Sequence, residues 1–141
     1  MMPTTKTRSI SPRTLLVDSN AVRALHGIST RRVFEWVESG KIIWAFNVGT
    51  AASRDLRFWS KELYDLEDVS AWMLETVISH ILPPSRKTFG FSEIEQIFLI
   101  SPTQVCRLFH MLGCPASVRP VRVSRQALAT FLNSRWIGGQ S

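Results

Sequence analysis

The sequence is poor in cysteine and histidine and has no long apolar run. Its two cysteines, Cys106 and Cys114, fit a reducing cytoplasm in which both thiols stay free. No apolar stretch reaches the length of about 18 residues that a membrane span needs, so we expect none. Residues 1–13 carry three basic side chains but lack the apolar core of a signal peptide. A cytoplasmic, nucleoid-associated protein is expected.

The side chains that most enzymes use are equally sparse. The histidines are scattered, and there is no paired-carboxylate motif, glycine-rich phosphate loop or nucleophile elbow. Cys106, His110 and Cys114 recur every four residues, but a metal site needs three or four converging ligands. Gly113 moreover ends the helix before Cys114. We therefore expect no enzyme, metal, cofactor or small-molecule substrate.

Positive charge is concentrated towards both ends of the chain. The net charge is +6, to which residues 1–59 contribute +5, residues 60–82 contribute −4 and residues 83–141 contribute +5. Two basic regions around an acidic connector are expected if both ends face phosphate and the middle does not. Hydrophobic residues make up 45% of the chain, which is enough for a core.

A helix-turn-helix pattern occupies residues 21–40. Gly27 supplies the turn, since glycine adopts the left-handed conformation without steric penalty. Ser29 then caps a second helix, which Gly40 ends. Apolar side chains at spacings of three and four form the inward stripe of that helix: Val33, Trp36 and Val37.

Two strands follow this pattern and predict a wing. They cover residues 42–48 and 56–59 and enclose a small polar loop that carries Arg54 near its end. Ser60 is expected to cap a third helix. Among the tryptophans, Trp36, Trp44 and Trp59 are expected to pack in the core, whereas Trp72 and Trp136 are less constrained and can serve an interface.

A similar pattern returns 72 residues further on. Ser101 aligns with Ser29 and caps a helix with Pro102 at its first position. The preceding helix is predicted to be capped by Ser92, with Glu95 closing a capping box. Strands at 117–118 and 121–123, with a wing tip at 119–120, come next, and Ser124 caps the last helix.

The connector carries apolar residues at threes and fours over residues 63–82. This periodicity predicts one kinked helix or two consecutive helices with a continuous apolar face. That face is expected to pack between the two basic regions, or against a second copy or another protein such as a recombinase. Pro83 and Pro84 end it and mark a linker.

The predicted fold is mainly α with small β-wings, built as two tandem winged helix-turn-helix modules joined by a helical connector. The expected divisions are a mobile basic arm (1–13), the first module (14–66), the connector with its Pro-Pro linker (67–88), the second module (89–136) and a tail (137–141).

The order helix, turn, Ser-x-x-x-Val-x-x-Trp-Val-x-x-Gly, strand, loop, strand, Ser-x-x-Leu resembles the excisionase-like and MerR-like winged helix-turn-helix domains. The first copy of this pattern is carried by Ser29, Val33, Trp36, Val37, Gly40, Val48, Gly49, Arg57, Ser60 and Leu63. The second copy is carried by Ser101, Val105, Arg107, Leu108, Arg122, Val123, Ser124, Arg125 and Leu128. The resemblance implies sequence-specific binding of double-stranded DNA. The roles it suggests are an accessory recombination or excision factor, a small transcription regulator, or DNA recognition like that of terminase small subunits.

DNA contacts are predicted where side chains of the second helices and wings reach base edges or phosphates. Glutamine pairs with adenine and arginine with guanine, while wing arginines suit phosphates or the minor groove. The predicted contacts of the first module are Thr30, Arg31, Arg32, Phe34, Lys41, Arg54 and Arg57. Those of the second module are Ser101, Thr103, Gln104, Arg107, His110, Arg119, Arg122 and Arg125.

Glu35 departs from the family pattern, which often has a basic residue at this position. A carboxylate repels phosphate but can accept a hydrogen bond from a cytosine amino group. Arg107 stands at the matching position of the second copy and keeps the basic character, so the second module is expected to bind more strongly. The alternative function is a protein-interaction adaptor that retains the winged folds and recruits a partner through the connector.

Overall fold

The computed structural model describes residues 15–50, 52–64, 68–69, 71–113 and 122–137. These ranges form a mixed α/β fold with seven helices and two small antiparallel sheets. In chain order the elements are β1 (Leu16–Val17), α1 (Ser19–His26), α2 (Thr30–Glu38), β2 (Ala45–Asn47), β3 (Leu56–Trp59), α3 (Ser60–Tyr64), α4 (Leu74–Ile81), β4 (Thr88–Gly90), α5 (Phe91–Phe98), α6 (Pro102–Met111), β5 (Arg122–Ser124) and α7 (Arg125–Arg135).

Side-chain caps start most of these helices where the sequence predicts. The Ser29 hydroxyl accepts from the Arg32 amide at 3.2 Å, and Ser101 and Ser124 cap α6 and α7 in the same way. Asp18 caps α1, and Gly27 ends it at φ 65°, in the left-handed conformation expected of it. The predicted caps at Ser29, Ser101 and Ser124 and the predicted turn at Gly27 are confirmed.

The predicted start of α5 is wrong. This helix begins at Phe91, directly after Gly90, because β4 runs on to that glycine. Glu93 closes the first turn by accepting from the Gly90 amide at 2.8 Å, so neither Ser92 nor Glu95 forms the expected capping box. At the other end of α5, Leu99 adopts φ 54°, a left-handed conformation that leucine rarely takes.

The C-terminal segment (residues 88–137) repeats part of the element order of the N-terminal segment (residues 15–64): a strand, two helices, a later strand and a helix, with no counterpart of β2 among the described residues. The first residues of β1 and β4, of α1 and α5, and of α2 and α6 each lie 72 positions apart. After the loop the spacing shortens, because Phe58 pairs with Val17 and Val123 pairs with the equivalent Phe89. Arg122 is therefore the counterpart of Arg57. The predicted strand at 117–118 and the tip at 119–120 lie outside the described residues.

The larger sheet, ordered β1-β3-β2, is covered on both faces. Side chains alternate between the faces of a strand, so neighbouring residues enter different cores. On one face, Val17 and Phe58 pack with α1 and α2. On the other face, Leu16, Phe46 and Trp59 join a larger core with residues of α4 to α7. The β2–β3 hairpin, which was predicted to be a wing, therefore has its strands buried between two cores.

The end of the C-terminal segment also lies on this sheet. Trp136 forms an antiparallel bridge with Phe46, and the Ile137 amide donates to the Ala45 carbonyl at 3.0 Å. The Trp136 ring stacks on Trp44 with centroids 5.0 Å apart, and its Nε1 donates to the Ile43 carbonyl at 2.8 Å. Residue 137, predicted to begin a tail, therefore helps to hold the two segments together.

The described residues of the connector stretch (63–82) contain the end of α3 and the whole of α4, which is the two-helix alternative of the prediction. Its apolar face packs inside the chain, where Val69, Val77 and Ile81 are buried in the larger core. Among the described residues of this face, Met73 is the one large apolar side chain that is mainly exposed, at 67%. The described part of this face therefore leaves little apolar surface exposed. No described helix is both long and apolar enough to cross a membrane.

A half-buried carboxylate attaches α3 to the segment that precedes β2. Glu62 accepts from the amides of Ile43 and Trp44, both at 2.8 Å. Burial raises the pKa of Glu62, and the two backbone hydrogen bonds partly offset that effect. The Trp44 indole donates to the Val69 carbonyl at 3.0 Å, and both Trp44 and Trp59 are buried, as predicted.

Candidate nucleic-acid interface

The exposed face of α2 carries two arginines that a carboxylate already holds. Arg31 and Arg32 lie in the first turn after Ser29, and their side chains are 90% and 60% exposed. The Glu35 carboxylate lies 3.5 Å from Arg31 Nε and 3.3 Å from Arg32 Nε. Exposed pairs of this kind are weak, so both arginines can exchange Glu35 for a phosphate. The face is nevertheless less basic than its two arginines suggest.

The loop between β2 and β3 lies beside α2. The Arg54 guanidinium lies over the Phe34 ring, 5.5 Å from its centroid, and Arg54 as a whole is exposed. Lys41, just after α2, similarly places its ammonium 4.1 Å from the centre of the Trp36 ring. Such contacts leave the cation at the surface, where Arg54 and Lys41 extend the positive charge of α2.

The exposed face of α6 has no carboxylate. Val105, Leu108 and Phe109 are buried, whereas Thr103, Arg107 and His110 are exposed at spacings of four and three, so they line one stripe. In α2 the equivalent stripe consists of Arg31, Glu35 and Glu38. The stripe on α6 is therefore positive, whereas that on α2 is not.

Gln104 is not free to pair with a base in this conformation. Its Oε1 accepts from the Ser101 amide at 3.0 Å. This bond completes a capping box with Ser101, the residue predicted to be the N-cap of α6. Its Nε2 donates to Asp55 Oδ2 at 2.8 Å. Because both ends of the amide are bonded, the prediction that Gln104 contacts adenine is not supported, and Gln104 instead joins α6 to the β2–β3 loop.

The β2–β3 loop thus lies between the two candidate helices. On one side it contacts α2 through Arg54, and on the other it contacts α6 through Asp55. An apolar cleft between the loop and α6 is lined by Val48, Thr50 and Arg107, among other residues. The structure therefore connects α2, the loop and α6 through direct contacts.

Two predicted DNA contacts point into the protein. Arg57 is only 5% exposed, and its Nε and Nη2 donate to the carbonyls of Phe98 and Leu99, each at 2.8 Å. Arg125 is half-buried and donates to the Leu82 carbonyl at 2.8 Å. The predicted DNA contacts of these two arginines do not agree with this geometry, because Arg57 donates to carbonyls at the end of α5 and Arg125 donates to the carbonyl that follows α4.

Arg122, the counterpart of Arg57, remains exposed but is partly engaged. Its Nε donates to the Thr88 hydroxyl at 2.8 Å, and Nη2 lies 3.6 Å from Glu93. Glu93 also pairs with Arg86. Its hydrogen bond with the Gly90 amide is the main reason why the pKa of Glu93 is lowered, and the two arginines add to that effect. Arg119 lies outside the described residues.

Sequence patterns did not single out Asp55 or Arg135, although both organise the loop. Asp55 stands two positions before Arg57, a spacing that places two side chains on the same face of a strand. The sequence could therefore have indicated that these two side chains pair. Arg135 donates to the carbonyls of Asn47 and Gly49 from α7, 86 or more residues away. No local pattern announces a contact at that separation.

The described residues hold no group of three or more histidine, cysteine, aspartate or glutamate side chains placed to bind a metal ion. Cys106 is an exposed free thiol beside the α6 stripe, and Cys114 lies outside the described residues. Comparison with protein-family models, curated proteins and solved structures finds no match for this chain.

Proposed function

We propose that this protein binds double-stranded DNA with sequence specificity, through two tandem winged helix-turn-helix modules. The N- and C-terminal segments are these modules, and α2 and α6 are their recognition helices. The main support is the recurrence of a strand and two helices at a spacing of 72 residues, followed in both segments by a returning strand and a further helix. Ser29 and Ser101 cap the recognition helices in the same way, and Gly27 and Leu99 turn the chain in the same left-handed conformation.

The charges of the exposed stripes support α6 as the stronger reader. Arg107 lies on the exposed face of α6, a helix without acidic residues, whereas Glu35 on α2 pairs with two neighbouring arginines. A bidentate arginine contact with guanine is worth about 1–3 kcal/mol of base discrimination. Arg107 is the residue that we expect to supply it, with Thr103 and His110 beside it and with Arg31, Arg32, Lys41 and Arg54 contacting phosphates.

The biological role that we propose is that of an accessory recombination or excision factor or a small transcription regulator. Two covalently joined readers of unequal sequence favour an asymmetric site over the palindrome that a symmetric dimer reads. The adaptor function is less favoured, because the connector residues that it requires, such as Val77 and Ile81, are buried.

The test uses duplexes selected from random DNA with the full chain, followed by titration at several salt concentrations. Arg107→Glu is expected to lower affinity for the selected site about tenfold or more. Because Arg107 is assigned a base contact, its replacement should also relax the specificity for the base pair that it reads. Glu35→Arg, the opposite change at the equivalent position, is expected to raise affinity.

Glu75→Arg is the matched control for Glu35→Arg. It makes the same change in charge on an exposed residue of α4, away from both recognition helices. If Glu75→Arg raises affinity as much as Glu35→Arg, only the total charge matters and the proposed surface is wrong. Affinity that is weak for every duplex and insensitive to Arg107→Glu would reject DNA binding altogether.

A further inference from the structure

The two proposed modules are packed as one body rather than strung on a linker. Their larger core contains Leu16 and Phe46 from the N-terminal segment together with Phe98 and Leu132 from the C-terminal segment, all fully buried. Trp136 and the following residue extend the sheet of the N-terminal segment at β2. A change in the angle between the segments would expose this core and break these hydrogen bonds.

A polar node joins the segments at the surface where α2, the loop and α6 meet. Its centre is Asp55, whose carboxylate lies 2.5 Å from Arg57 Nη1 and 2.8 Å from Gln104 Nε2. Arg57 is buried and hydrogen-bonded to the end of α5, so its ion pair with Asp55 fixes the position of that carboxylate. Gln104 is held by the Ser101 amide, so the bond between Asp55 and Gln104 fixes the first turn of α6 against the loop.

The rigidity of this arrangement bears on the kind of DNA that it can read. Readers joined by a flexible linker tolerate variable distances between their half-sites, because the linker adjusts. Readers on one rigid body do not adjust. Each inserted base pair rotates one half-site about 34° around the helix axis, since B-DNA completes a turn in about 10.5 base pairs.

We infer that the chain reads one unbroken duplex segment of fixed spacing, and that Asp55 and Gln104 are positioning residues that set the angle of α6 relative to α2. This inference rests on the proposed function for its DNA partner, while the positioning itself can be measured on the free protein. Neither residue is assigned a contact with a base.

The first experiment measures residual dipolar couplings of the full chain without DNA. A single alignment tensor is expected to fit the described residues of the N-terminal and C-terminal segments together. Gln104→Glu keeps an oxygen to accept from the Ser101 amide but sets a carboxylate against Asp55, so α6 should change its orientation relative to α2. Gln96→Glu makes the same chemical change on the exposed face of α5 and should leave that orientation unaltered.

Two separate tensors in the unmodified chain would overturn the rigid arrangement. If the amide spectrum of Gln104→Glu shows an intact fold and the orientation of α6 is unchanged, Asp55 and Gln104 do not have the positioning role. Either result can be obtained whether or not the protein binds DNA, so failure of this inference is distinguishable from failure of the proposed function.

The second experiment inserts base pairs into the selected site, between the two stretches that hydroxyl-radical footprinting shows to be protected. Insertion of two or five base pairs is expected to lower affinity at least about tenfold, because one helix then loses its base contacts. In Gln104→Glu the dependence on spacing should change, whereas in Gln96→Glu it should not. Equal affinity of the unmodified chain for all spacings would overturn the inference even if DNA binding itself is confirmed.

Discussion

Replacement of Arg57 by methionine should destabilise the protein far more than the same replacement of Arg122. The two arginines occupy equivalent positions on β3 and β5, opposite β1 and β4. Arg57 is buried and donates to three backbone carbonyls, those of Leu56, Phe98 and Leu99, at 2.8 to 2.9 Å. Arg122 is exposed and bonds to Thr88 at the surface.

The magnitude follows from what each substitution leaves behind. Methionine keeps much of the apolar stem of Arg57 but leaves the carbonyl of Phe98 without its donor, and an orphaned buried polar group costs about 1–3 kcal/mol. The loss of a buried, hydrogen-bonded charge pair typically costs about 3–5 kcal/mol in total. Asp55 is about a third exposed and can turn to water, so we expect the lower part of this range, about 3 kcal/mol.

Urea unfolding, followed by tryptophan fluorescence, measures this difference. A domain of this size has a total stability of about 5–15 kcal/mol, so a loss of 3 kcal/mol is large and lowers the midpoint by about 1–2 M. Arg122→Met should change the unfolding free energy by less than about 1 kcal/mol, since its bonds are at the surface.

Similar effects of the two substitutions would refute the assignment of Arg57 as the buried tie between the segments. A second transition in the unmodified chain would refute the shared core, because segments that share a core unfold together. Coincidence of the fluorescence and far-ultraviolet circular dichroism transitions is the expected result.

Two further predictions concern Glu62 and Gly49. Since burial raises the pKa of Glu62 in the folded state, its contribution to stability is fully present below the unfolded pKa and is lost as pH rises through the folded pKa. The difference in unfolding free energy between the unmodified chain and Glu62→Gln should therefore fall over that pH window; a difference that rises with pH would contradict the desolvation argument. In Gly49→Ala, the new Cβ would lie 2.4 Å from the Ser53 carbonyl oxygen and 2.9 Å from the Asp55 amide nitrogen, so the loop must shift at a cost of about 1–3 kcal/mol. Hydrogen exchange should show lost protection of the Val48 amide in this variant but not in Ser53→Ala, and unchanged protection would count against the packed loop.

Helix boundaries are largely predictable from this sequence because a cap involves groups only a few residues apart. Ser29, Ser101 and Ser124 start helices through bonds to amides three positions further on. The exception is α5, where two overlapping patterns compete. Glu93 and Glu95 both stand three residues after a possible cap, and the pairing of β4 with β5 as far as Gly90 selects Glu93.

The candidate interface is only partly predictable, because some of its contacts join residues that are far apart in the sequence. The exposure of Arg31, Arg32 and Arg107 follows from helical periodicity, which places them opposite buried residues of the same helix. Gln104 shares that periodicity, yet Asp55, 49 positions earlier, engages its amide. The left-handed turn at Leu99 likewise could not be predicted from a glycine at that position. Arg57, 42 positions earlier, donates a hydrogen bond to the Leu99 carbonyl.

The sequence by itself determined the local units of this protein: which stretches become helices and where most of them begin. Those features depend on caps, turns and periodicities that span a few residues, so they can be recognised before the chain folds. Tertiary structure alone decided that both units share a core and that Arg57 is buried while Arg122 is not. That decision depends on contacts such as the one between Trp136 and Ile43, 93 positions apart, whose formation requires all the packed elements together.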